Sequence, residues 1–194
     1  MSQPDKPLEH PHVAEKVDQL REHPETTHVA IADKMDAVVI NIGKLAWWLN
    51  VVLILVIITQ VVLRYGFSMG MVVFEELQWH LYAGAMMLGI PYALTQDAHI
   101  RVDVLHQRFS PKWKRIVEIV GILLFLLPFA IIVFHHSLDF VYEAWRVSER
   151  SDAPTGLGMR WLIKGVIPFS FGLLIMAAVS RLIRDFTLLK RGEV

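Results

Sequence analysis

The sequence predicts an all-α membrane protein with four transmembrane helices, both termini cytoplasmic, and an amphipathic helix leading into the first span. Three observations carry this. Uncharged runs cover residues 45–63, 77–95, 119–138 and 165–180. Charged residues make up 20% of a chain that is 54% hydrophobic, yet they collect in tails and loops, whereas a soluble domain would spread them over every helix. Finally, Lys and Arg alternate in density from one loop to the next, as the positive-inside rule requires.

The polar stretch over residues 1–32 is rich in Pro, His, Glu and Thr. Its low apolar content predicts a solvated cytoplasmic tail, or else a docking arm for a partner's cytoplasmic face. His10, His12, His23 and His28 have no helical i, i+4 spacing among them, so they are not read as a metal site. A secretory signal would place an apolar segment near the start. Here about 40 polar residues come first, so the first span is expected to be a retained anchor. From Asp33, Met35, Val38, Val39, Ile42 and Leu45 recur at helical spacing. This amphipathic helix runs into the first span or bends at Gly43. Trp47 and Trp48 mark the inner interface.

The first, second and third runs are each long enough to cross about 30 Å of hydrocarbon. The fourth is shorter, but Trp161, Lys164 and Arg181 flank it and can reach the interfaces. The four-helix domain is expected over 33–188, with a short cytoplasmic tail over 189–194. Arg101, Arg108, Lys112, Lys114 and Arg115 crowd the loop between the second and third runs. Arg181, Arg184, Lys190 and Arg191 crowd the C-terminal end. The other two loops are poorer, which puts both termini on the cytoplasmic side. The third helix is expected to continue to Ser151, since nothing in its sequence breaks it earlier. Pro91, Pro128 and Pro168 fall inside spans and predict kinks.

Composition excludes several classes of chemistry. There is no cysteine, hence no disulfide, thiolate metal site or cysteine nucleophile. Zero net charge makes nucleic acid an unsuitable partner. Carriers place ionisable groups near the bilayer midplane. This chain offers only Asn50, Thr59, Gln60 and Ser170 there, residues that more commonly bond one helix to another. No catalytic, cofactor or metal site is read. One alternative is a b-type cytochrome with haem between His80 and His135 or His136. Glu75 and Glu76 point about 100° apart on a helix. One is expected to pair with Arg64, the other to face water or a partner. Gly84 and Gly89, with Ala85, offer a close-approach face on the second span. It serves either the internal packing or a seam with a larger subunit. The polar knot of His99, Arg101 and Asp103 closes that span and is expected to brace a cytoplasmic loop.

In this order and placement, Arg64, Phe67, Glu75, Glu76, Gly84, Gly89, His99, Arg101, Val102 and Asp103 resemble the small membrane subunit of tripartite ATP-independent periplasmic (TRAP) transporters. So do Trp145, Glu149, Ser151, Pro154, Gly156, Leu157, Trp161, Lys164 and Pro168. The resemblance implies a non-catalytic scaffold and anchor in the bacterial inner membrane. Its partners would be a large membrane subunit carrying substrate and sodium sites and a periplasmic substrate-binding protein delivering an organic acid. No cofactor is implied.

Overall fold

In a computed structural model, the chain is described over residues 29–96 and 111–191. The tail up to residue 28 and the knot of His99, Arg101 and Asp103 lie outside the described residues. So do residues 192–194.

Among the described residues all regular structure is helical. Helix α1 (Ala30–Gly66) is unbroken for 37 residues, through Gly43. Asp33 in its first turn and Arg64 in its last complement the helix dipole. Its buried positions, Ala32, Val39, Gly43, Ala46, Leu53 and Gln60, form one narrow stripe. Val51, Val52, Ile54, Leu55, Ile58, Val61 and Val62 are apolar yet exposed. Such a helix, apolar all round and buried along one edge, is built for lipid. Ser68, in the left-handed region at φ 54°, turns the chain after α1.

Helix α2 (Val72–Thr95) returns along α1. The approach is close at Gly43, where an added Cβ would lie 2.6–2.9 Å from Tyr92 side-chain atoms. Helix α3 (Pro111–Gly121) passes through a π turn (Ile122–Leu126) into α4 (Leu127–Arg146). Proline has no N–H and its ring collides with the carbonyl four residues earlier. At Pro128 the helix widens just before it, and Leu127 N–H bonds to Ile122 O. Helix α5 (Trp161–Arg191) packs on α4, α2 and α1 and stands between the α1–α2 hairpin and the α3–α4 rod. Its Leu173, Leu174, Ala177, Ala178 and Leu182 join Val39, Ala46, Leu88, Ile119, Ile122 and Ala130 in the core.

The structure differs from the sequence reading in two places. Among the described residues three helices, Ala30–Gly66, Lys112–Arg146 and Trp161–Lys190, are long and apolar enough to cross a membrane, where four were expected. Helix α2 has the length, 24 residues, but Gln78, Trp79, His80, Tyr82 and Tyr92 dilute its hydropathy. The rod also stops at Arg146 rather than Ser151. Ser148 takes a left-handed conformation at φ 48°. Its N–H bonds to Trp145 O, and Glu149 N–H bonds to Ala144 O. That pair of bonds is the Schellman ending, normally signalled by glycine.

Candidate functional site: a glutamate-pinned loop at one end of the bundle

The bundle has a termini end, which carries Asp33 and Arg184, and a loop end, which carries Glu76 and residues 147–160. At the loop end Arg64 Nη1 lies 3.2 Å from Glu75 Oε1, closing the short turn between α1 and α2. Both side chains are about half exposed, and exposed pairs of this kind contribute little to stability.

Glu76, one position on, turns inward. Its carboxylate accepts a hydrogen bond from Ser151 Oγ and another, at 2.6 Å, from Leu157 N–H. The loop is folded to present these donors. Ser151 N–H bonds to Leu157 O at 3.1 Å, Gly156 N–H to Ala153 O at 2.9 Å, and Ala153 N–H to Ser151 Oγ at 3.2 Å. Gly156 is required by the closeness of these strands of loop. A Cβ there would lie 2.8 Å from Glu76 Oε1 and nearer still to Ser151. The hydrogen bond from Ser151, then that from Leu157, hold the Glu76 carboxyl below its ordinary value, with Arg160 and His80 adding to the effect against partial desolvation.

A second knot continues from the first. Glu149 takes Lys164 Nζ as a direct partner, and Arg160 Nη1 stands 3.8 Å from its other oxygen. Lys164 Nζ also sits 3.9 Å above the Phe140 ring centroid, a cation–π contact. His80 Nδ1 lies 2.6 Å from the Glu76 carbonyl, which can only accept, so Nδ1 carries the proton. Trp79, His80, Phe140, Arg160 and Lys164 rim a cleft of about 460 Å³ whose wall is Ala83, Met87, Ile163, Val166 and Ile167. This arrangement fixes a loop to three helices.

The other candidates separate. Gly84 is buried, with Leu49 Cδ1 3.4 Å from the position of an added Cβ, so it belongs to internal packing. Gly89 has nothing within 4 Å and lines an open groove with Ala46, Trp47, Asn50 and Ala85. Trp161 opens α5, half-buried. His99, Arg101 and Asp103 lie outside the described residues. His135 and His136 are exposed on α4 with their rings against each other.

One polar belt was missed by the sequence reading. At the termini end Arg184 bonds Asp33 at 3.1 Å and Asp36 at 2.7 Å. Arg181 pairs with Glu118 at 2.6 Å, Arg115 with Asp185 at 3.5 Å, and Ser180 Oγ donates to Ala32 O at 3.0 Å. From the sequence, Arg115, Arg181 and Arg184 serve only as markers of sidedness, and Asp33 and Asp36 are given no partner. Their spacing at i, i+3 on α1 and α5 was the available signal.

The comparisons agree on family. The model for "Tripartite ATP-independent periplasmic transporters, DctQ component" matches residues 53–188, more than two thirds of the chain. A Haemophilus influenzae protein, described by name as a TRAP transporter small permease protein, is 28% identical over 141 residues, 72% of this chain and 84% of that one. Neither match supports the cytochrome alternative. With helices fit to cross a membrane and a family model that spans both the bundle and the loop end, the chain belongs to the DctQ family, the small permease components of the tripartite ATP-independent periplasmic transporters.

Proposed function

We propose that this small permease is the non-catalytic scaffold and membrane anchor for the large transport subunit of a sodium-coupled TRAP transporter for an organic acid. In this reading it lies in the bacterial inner membrane with four spans, α2 included, and both termini in the cytoplasm. A periplasmic binding protein delivers the solute to the assembly. Residues 1–32 form the cytoplasmic tail and 33–188 the membrane domain.

One observation supports the scaffold reading: Asn50, Thr59, Gln60 and Ser170, the polar side chains nearest the middle of the spans, are already hydrogen-bonded within their own helix or to a neighbouring one. Asn50 Nδ2 donates to Ala46 O at 2.9 Å, and Thr59 Oγ1 to Leu55 O at 2.8 Å. Gln78 bonds Gln60 between α2 and α1, and Ser170 Oγ bonds Met87 O between α5 and α2. A solute site near the midplane needs polar groups free to receive a ligand. The apolar helix surfaces, broad on α1 and α4, instead suit lipid and a larger membrane partner.

The test is gentle detergent purification of the tagged chain with its large subunit, followed by calorimetric titration of the isolated chain with sodium and with C4-dicarboxylates and sialic acid as probe acids. Co-purification with no saturable binding to the isolated chain is expected. Specific binding of either ligand by this chain alone contradicts a scaffold role.

A further inference from the structure

A second cluster of chemistry stands apart from the Glu76 loop. His135 and His136 are adjacent on α4, and Asp139 follows at i+4 from the first and i+3 from the second. The helical period therefore places the carboxylate one turn beyond both imidazoles on a shared side. One possible ligand atom from each residue lies within 4.8 Å of the others, and all three residues are exposed. The two rings meet edge to face, with centroids 5.6 Å apart.

Neighbouring polar groups on α4 already have partners: Ser137 Oγ donates to Phe134 O, and Glu143 pairs with Arg146 at 2.7 Å. Among the described residues no ion pair or hydrogen bond engages Asp139. It sits on a helix surface where Ile131, Ile132, Leu138 and Phe140 are exposed.

We propose that His135, His136 and Asp139 bind a divalent transition-metal ion of the zinc type. Two imidazole nitrogens and one carboxylate oxygen make a three-ligand set that leaves a fourth tetrahedral position open. Imidazole pairs select zinc, nickel or copper over calcium and magnesium, which prefer all-oxygen shells. Tetrahedral ligands about 2.1 Å from zinc lie about 3.4 Å apart. The exposure of all three side chains leaves room for the rotation that would close the observed separation. The site is independent of the scaffold reading, because it uses no residue of the loop or of the helix contacts.

The experiment uses the full chain, purified in detergent through a tag without histidine, stripped with chelator and titrated with zinc chloride by calorimetry. The histidines at 10, 12, 23 and 28 contribute a background common to every variant. Wild type is expected to show a saturable site that Asp139→Asn or His136→Ala weakens about tenfold or more, while Glu143→Gln leaves it unchanged. Size-exclusion elution confirms that each variant is folded, and His136→Gln replaces any alanine variant that is not. Isotherms that coincide for wild type, Asp139→Asn and His136→Ala overturn the proposal, as does failure of wild type to bind above the background.

Discussion

Replacing Gly156 by alanine isolates the contact between the loop and Glu76. The new methyl would stand 2.8 Å from Glu76 Oε1 and closer to Ser151 Cβ and Oγ. Neither neighbour can swing aside freely. Ser151 is held at both its backbone and its hydroxyl, and Glu76 is held by Ser151 and Leu157. Relief requires the loop to lift, which breaks the hydrogen bonds that dock it. Inserting a methyl into a packed site costs about 1–3 kcal/mol. At 1.4 kcal/mol per tenfold, the undocked population rises roughly 5- to 150-fold. Trypsin reads that population directly when closing outpaces cleavage, and Arg150 and Arg160 are its targets within the loop. Initial cleavage rates at these two sites in detergent should rise by that factor. Gly158→Ala is the control in the same loop, since nothing lies within 4 Å of its added methyl. If Gly156→Ala is cut no faster than wild type, or if the two variants are cut alike, the loop is not held in the way described.

Two further outcomes are expected. Gly43→Ala forces a methyl to within 2.6–2.9 Å of Tyr92, so it should destabilise the α1–α2 hairpin by about 1–3 kcal/mol. Gly89→Ala, in open space, should hold or raise the melting temperature in detergent, because alanine is the better helix former, and equal shifts for the two would reject the packing described for this hairpin. Loop docking should also depend on acidity. Because the folded state holds the Glu76 carboxyl below its ordinary value of 4.5, its stabilisation is present above that pH and is lost as pH falls through the lowered folded value. Pepsin cleavage between residues 147 and 160 should therefore stay slow at pH 4.5 and accelerate below it. In Glu76→Gln the dependence should disappear, whereas a wild-type transition centred above pH 4.5 would contradict the assignment.

The long elements were legible in the sequence because uncharged runs of this length have few physical solutions. Lipid leaves the backbone no partner but itself, so such a run becomes a helix. The loop end was legible only by half. Arg64 and the two glutamates flank one short turn, so a pair between them could be read locally. Which of the two makes that pair is not written in the sequence, and the other is expected to face water or a partner; instead Glu76 reaches Ser151, 75 residues away. No periodicity records a contact between a helix and a distant loop. The end of α4 was hidden for a different reason. Ser148 adopts a backbone conformation that glycine usually announces, and serine gives no such notice. At the termini end the charges were visible, but their partners depend on which helices become neighbours. That follows from the central position of α5, which single-chain patterning does not encode.

The length of α1 has a mechanical consequence. Its 37 residues make a rod of about 55 Å against a hydrocarbon layer of about 30 Å. A rod that overshoots a bilayer by so much would ordinarily tilt or swing. Here its projecting segment is riveted to α5 by Arg184 on Asp33 and Asp36 and by Ser180 on Ala32. Two helices joined along such a lever resist bending far more than either alone. Force applied to the projecting end is therefore shared across the bundle rather than absorbed by one helix. If the proposed scaffold role holds, a larger membrane subunit packed on this end meets a stiff abutment.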